Sequence, residues 1–217
     1  MSSTAPSRST LLKRFAGPIC TLLLVGGAVA AIVSINAQGK MKQGAAAPDS
    51  VKAKSNDIMI QRQHGTCISE VQNPLRWNSD VKVSDNICCF NRHYAEYAGY
   101  WTTTTFLSEQ RNKKLTIFYD SVTGKKLFQA PIGRTWEEFE KESLAHGWPS
   151  FRDAEVITND VRVLEDGEVV SLDGTHLGHN LPDSNGNRYC INIVSIAGVN
   201  DDDEMEMEKE KEKELAD

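Results

Sequence analysis

The stretch VRVLEDGEVVSLDGTH (161–176) holds two alternating runs of apolar and polar residues on either side of Asp166-Gly167. A period of two puts one set of side chains on one face of a strand, and Asp-Gly tolerates the backbone of a tight turn. The stretch therefore predicts a β-hairpin. LTIFYD (115–120) is β-branched and aromatic, SVTGKKLFQAP (121–131) continues after a turn at Gly124, and RYCINIVSIAG (188–198) reads as a final strand. Helical signals are fewer. RTWEEFEKESLA (134–145) offers Thr135 as an N-cap, Glu137 and Glu138 in the first turn, and a partial apolar face from Trp136, Phe139 and Leu144. HYAEYAGYW (93–101) reads as a short helix ending at Gly99. No internal repeat is present. The expectation is a β-rich α+β domain over residues 65–198, long enough for one core.

The flanks differ from this domain. Residues 1–17 carry Arg8, Lys13 and Arg14 and no acid, and PICTLLLVGGAVAAIVSINA (18–37) follows without a charge. An apolar helix of this length covers roughly 30 Å of hydrocarbon. The basic residues outnumber Lys40 and Lys42, which predicts a single-pass signal anchor with residues 1–17 in the cytoplasm. A signal peptide cleaved near Ala37 is the alternative, disfavoured by the long apolar run and by the poor cleavage site Ile35-Asn36-Ala37. Either way residues 40–217 reach a lumenal or extracytoplasmic space, and a plastid route that begins with a secretory-type segment stays open. Residues 38–64 read as a flexible stalk and residues 199–217 as an acidic disordered tail. The formal net charge of −6 gives no electrostatic case for nucleic-acid binding.

Chemistry concentrates in THLGHNLPDSNGNRYCIN (175–192). One reading is a zinc site in which Cys88 or Cys89 joins His176, His179 and Cys190. It is weakened because the chain has no Cys-x-x-Cys pair and because vicinal Cys88-Cys89 chelates one tetrahedral ion poorly. The other reading makes Cys190 a nucleophile. Arg188 and Asn192 lie two residues to either side, on the same strand face, where a cation lowers a thiol pKa. His176 and His179 can supply a proton to a leaving oxygen. A buried structural cysteine remains the plain alternative. In HGWPSF (146–151), Pro149 stiffens a turn, Gly147 permits close backbone approach, and Trp148 is either an apolar wall for a methyl-bearing ligand or a loop aromatic capping the core.

Taken in order, GWPSF (147–151), HLGH (176–179) and RYCIN (188–192) resemble the signature of B-type methionine sulfoxide reductases, over about residues 115–198. The resemblance implies antiparallel sheets of a β-tent-like fold with few short helices, and reduction of the R epimer of methionine sulfoxide in oxidised proteins. It implies that Cys190 attacks the sulfoxide sulfur and becomes a sulfenic acid. His176 and His179 would bind and protonate the oxygen, with His179 as main acid. Asn192 and Arg188 would orient this network and stabilise the thiolate. Trp148 would pack on the substrate's ε-methyl group, with Phe151 as a second substrate-binding residue.

Two departures carry expectations of their own. Many relatives hold a structural zinc on two Cys-x-x-Cys pairs, and the matching positions here are Asp120 and Thr123, then Val170 and Asp173. No metal is expected, and the core would rely on packing or on a disulfide within residues 65–90. Where some relatives place a resolving cysteine, this chain has His146. Cys67, Cys88 and Cys89 are then the candidate resolving thiols, unless an external reductant acts directly on the sulfenic acid. No bound cofactor is implied. The implied partners are oxidised proteins, a thioredoxin-like or glutathione/glutaredoxin reductant, and the membrane through residues 18–37. Two other readings stay open: a non-catalytic binding module using the Trp148 pocket, and a disulfide-stabilised lumenal interaction domain in which Cys190 is oxidised and structural.

Overall fold

A computed structural model describes residues 47–111, 115–200 and 202. The basic segment 1–17, the apolar run 18–37 and nearly all of the acidic tail lie outside the described residues. Among the described residues, no helix is long and apolar enough to cross a membrane.

Two antiparallel sheets and a few short helices make up the architecture. Strands β1 (Thr116–Tyr119) and β2 (Lys126–Ala130) pair across the turn at Gly124. The second sheet has five strands: β3 (Ser150–Phe151), β4 (Val161–Val163), β5 (Glu168–Ser171), β6 (His176–Asn180) and β7 (Tyr189–Ile191), in the order β3-β7-β6-β5-β4. The predicted hairpin is present as β4 and β5, with Gly167 at φ 90° in its turn, and Gly174 at φ 91° turns the chain again into β6. The last strand is shorter than expected. After Ile191 the backbone enters a 3-10 turn, Ile193–Ser195.

The helices are α1 (Val81–Asp85), α2 (Phe106–Gln110) and α3 (Trp136–His146). Thr135 caps α3 in a reciprocal box: its hydroxyl accepts from the Glu138 N–H at 3.2 Å, and the Glu138 carboxylate accepts from the Thr135 N–H at 2.8 Å. Gly147, at φ 89°, ends the helix.

Residues 93–98 are not helical. The polar groups at Glu96 and Gly99 bond to distant chain: the Glu96 carbonyl accepts from Trp148 Nε1, the Glu96 carboxyl accepts from the Ile193 N–H, and the Gly99 N–H reaches the Gly147 carbonyl at 2.7 Å. Gly99, at φ 86°, therefore opens a 3-10 turn (Tyr100–Thr103) and does not close a helix.

Residues 47–64 also depart from expectation, because they do not form a stalk. Val51 and Met59 are buried, and the 51–53 backbone bonds to both sides of Val163, from the Ala53 N–H (2.9 Å) and to the Val51 carbonyl (2.7 Å). This segment covers β4, the outer strand of the five, and satisfies an edge that would otherwise be unpaired. Met59 packs with Leu164 and Val170.

The main core is aromatic. Phe151 sits at its centre, 4.5 Å from Phe128, 4.9 Å from Phe118 and 5.5 Å from Phe139 between ring centroids, and is fully buried. It joins the two sheets and α3, so the expected substrate contact at Phe151 is a core contact instead. Trp148 lies in the bend before β3 and faces the cavity, whereas Phe151 lies within β3 with its ring turned to the core.

Cys67 and Cys89 form a disulfide, within the segment where one was expected. It fixes a segment that holds the β5–β6 turn: the Thr66 hydroxyl donates to the Gly174 carbonyl at 2.7 Å and Arg62 to the Asp173 carbonyl at 3.1 Å. The four positions aligned with zinc ligands lie at this end of the sheets. Asp120 accepts from the Thr175 hydroxyl (2.9 Å) and the Val122 N–H (2.9 Å), Asp173 pairs with Lys125 at 2.7 Å, and Val170 is apolar core. A donor set with no thiolate and both carboxylates already bonded does not fit a structural zinc ion.

Candidate active site

Cys190 lies in the middle of β7, directly opposite His179 of β6 on one side and Ser150 of β3 on the other. His176 and His179 are three apart, a spacing that would normally put them on opposite faces of a strand. The β5–β6 ladder breaks this parity. Val169 pairs with Gly178 but Val170 pairs with His176, so Leu177 is one extra residue, and the two histidines come to the same side. Their ring centroids are 5.4 Å apart. Gly178 makes the irregularity possible: it sits at φ 151°, and a Cβ there would overlap the Cys190 carbonyl oxygen and lie 3.0 Å from Ile191 Cα.

These residues open onto a cavity of about 380 Å³, lined by Cys190, His176, His179, Asn192 and Trp148. The loop before Gly99 supplies the opposite wall through His93, Tyr94 and Ala95. Trp148 is held by the hydrogen bond from its Nε1 to the Glu96 carbonyl at 3.1 Å. The Asn192 side-chain amide is buried, and its Nδ2 has no partner among the described residues, so a donor is available to a bound oxygen. Arg188 is buried with its Nε 3.5 Å from Asp183, and it is not among the residues that line the cavity. Arg152 in turn clamps the intervening loop by pairing with Asp183 at 2.9 Å and donating to the Asn187 carbonyl at 3.0 Å.

Electrostatics alter two expectations. Burial pushes the Cys190 thiol above its ordinary pKa, and the nearby Arg188 cation only partly offsets this. The resting group is a thiol. Burial also holds His179 below the ordinary histidine value, reinforced by His176 and His93 and opposed by Glu168 and Asp166, so His179 is neutral at pH 7.

The three candidate resolving cysteines do not meet Cys190. Cys67 and Cys89 are bonded to each other. Cys88 is fully buried, hydrogen-bonds to the Ser195 hydroxyl at 3.4 Å, and has its thiol pKa pushed by burial to about 12. None of the three lines the cavity, and Cys190 is a free thiol.

Three residues of the site were not singled out from sequence. Glu168 is buried and its Oε1 lies 2.7 Å from His176 Nδ1. Arg92 grips the same carboxylate with two nitrogens, one of them 3.0 Å from Oε2. An acid at the start of the otherwise apolar run EVVS was the available signal for Glu168; Arg92 gave none. Glu96, behind Trp148, is buried with one carboxyl oxygen accepting from the Ile193 N–H at 2.7 Å and the other without a partner among the described residues. Burial raises its pKa from 4.5 to about 8. A carboxyl whose folded pKa exceeds its unfolded one contributes stability fully below pH 4.5, lost as pH rises through 8. Glu96→Gln, which keeps an acceptor for Ile193, is expected to flatten this loss and to be more stable than wild type above pH 8 by a few kcal/mol, on the order of 1.4 per pKa unit, in denaturant titrations across pH.

The chain resembles MsrB proteins. It is 38% identical over 97 residues to a peptide methionine sulfoxide reductase MsrB of Methanosarcina mazei, covering 39% of this chain and 62% of the relative. It is 37% identical over 97 residues to another of that description from Methanosarcina barkeri, covering 39% of this chain and 61% of the relative. The chain thus spans less than two thirds of the length of either curated relative. No family model matches it. The two alignments support a relationship to MsrB proteins, and the two antiparallel sheets with few short helices agree with the fold expected of them.

Proposed function

We propose that this chain reduces methionine-R-sulfoxide in oxidised proteins to methionine, with Cys190 as the nucleophile. The observation that carries the reading is the single cavity in which Cys190, His176, His179, Asn192 and Trp148 meet. The Trp148 ring offers an apolar face to a thioether methyl, and Asn192 and the histidines offer donors to the sulfoxide oxygen. The Cys190 sulfur attacks the sulfoxide sulfur as the oxygen is protonated. Oxygen leaves the methionine and ends on Cys190, so methionine sulfur gains the two electrons that Cys190 loses, and the products are a thioether and a sulfenic acid. Two external thiols then return the sulfenic acid to thiol, giving their own disulfide and one water. The pairing of Cys67 with Cys89 and the burial of Cys88 favour this external route over an internal resolving cysteine. The donor set at positions 120, 123, 170 and 173 favours a variant that works without structural zinc.

A free Cys190 speaks against the reading in which that cysteine is an oxidised structural residue. The test is turnover of separate R and S epimers of a methionine-sulfoxide peptide by the full chain with dithiothreitol. Consumption of the R epimer alone supports the reading; consumption of neither by folded protein rejects it.

A further inference from the structure

We propose that Glu168, clamped by Arg92, is the positioning residue that makes His176 the proton donor of this site. The inference rests on the sulfoxide-reductase reading and assigns the acid within it. Glu168 Oε1 meets His176 Nδ1 at 2.7 Å with both side chains almost wholly inaccessible to water. Arg92 crosses to the same carboxylate from the loop after Cys89, donating from Nε to both oxygens at 3.1 and 3.0 Å. Two side chains hold one carboxylate, and they keep it ionised: burial pushes Glu168 up, but the hydrogen bonds from His176 and Arg92 outweigh that and leave it below the ordinary glutamate value.

An ionised carboxylate can only accept, so the proton on the Nδ1 side belongs to His176. Ring orientation and tautomer are thereby fixed, and Nε2 is the nitrogen left for the cavity that His176 lines. When His176 is a cation, the buried carboxylate compensates its charge. Among the described residues, His179 has no such partner. The charged and titratable groups facing the two imidazoles are Glu168 and Asp166 of the β4–β5 hairpin, Arg92 and His93 of the loop after Cys89, and Cys190 of β7. Among these described groups, Glu168 alone is hydrogen-bonded to either of the two rings, and it touches His176. His179, opposite Cys190 in the ladder and neutral at pH 7, is suited to accept the thiol proton as the sulfur attacks, while His176 Nε2 delivers a proton to the sulfoxide oxygen. This reverses the division of labour that the motif resemblance implies.

The deciding experiment measures kcat and KM against pH for R-sulfoxide reduction by the full chain and by Glu168→Gln, Glu168→Asp, His176→Asn and His179→Asn, with imidazole 15N NMR spectra of wild type and Glu168→Gln. Glu168→Gln keeps an acceptor but removes the charge. The expected result is a fall in kcat of about tenfold or more with little change in KM, and an alkaline limb moved to lower pH. Glu168→Asp should recover part of the rate. The 15N shifts should show His176 protonated on Nδ1 in wild type and a mixed tautomer in Glu168→Gln, with His179 unchanged. A Glu168→Gln pH profile that superimposes on wild type overturns the proposal, as does an alkaline limb that disappears in His179→Asn and survives in His176→Asn. Wild-type protein without turnover rejects the sulfoxide-reductase reading instead, and the NMR spectra then still decide whether Glu168 fixes the tautomer of His176.

Discussion

Cys190→Ser is expected to abolish R-sulfoxide reduction, a loss of about 10³-fold or more, while leaving the melting temperature within a few degrees of wild type. The activity loss follows from the chemistry. A serine hydroxyl does not ionise in this range, and an oxygen cannot take over the sulfoxide oxygen as a stable sulfenic acid does. The fold should survive because Cys190 is a free thiol with an accessible face on the cavity, and its strand pairing with His179 and Ser150 uses backbone groups alone. Turnover and thermal denaturation of the same preparation check both halves. A Cys190→Ser variant that is folded and still active would transfer the chemistry to another group.

Gly178→Ala is expected to damage the site severely although it alters none of its chemical groups. A Cβ at this position meets the Cys190 carbonyl oxygen and the Ile191 backbone of the neighbouring strand, neither of which can move away as a side chain can. The φ of 151° adds backbone strain for any L side chain. Relief requires separating β6 from β7, the two strands that hold His179 opposite Cys190. The expected cost is about 3 kcal/mol in denaturant unfolding, with activity reduced well beyond the fraction unfolded. Gly186→Ala is the matched control, since that glycine also has positive φ (115°) but open space around it.

The parts of the fold that were legible in the sequence are those set by local rules. Asp166-Gly167 fixes a turn by its own backbone preference, and Thr135 with Glu138 caps α3 within four residues of chain. The parts that were not legible depend on partners far along the sequence. Residues 47–64 lack a period because only Ala47, Val51 and Met59 are buried, and Val163, Leu164 and Val170, against which Val51 and Met59 rest, lie more than a hundred residues away. Residues 93–98 have the composition of a short helix, yet three long-range hydrogen bonds around Glu96 and Gly99 hold them extended.

The site divides in the same way. Motifs located Cys190, His176, His179, Asn192 and Trp148, which the folded chain brings to one cavity. Phe151 was misplaced because its ring turns from β3 into the core while Trp148, in the bend before that strand, faces the cavity. Strand parity alone would have separated the two histidines, and only the extra residue at Leu177 reunites them. The pKa of Cys190 was misjudged for another reason: sequence shows Arg188 two residues away but not the burial that outweighs it. Glu168, Arg92 and Glu96 matter through burial and contact, neither of which one sequence displays.

The most direct test of the central claim is a single turnover without reductant. Full-length protein, with one equivalent of an R-sulfoxide peptide and a sulfenic-acid-trapping dione, should yield one equivalent of methionine peptide and one adduct, located by peptide mass spectrometry at Cys190. Methionine formed without an adduct at Cys190, or an adduct at Cys88 in its place, would contradict the account.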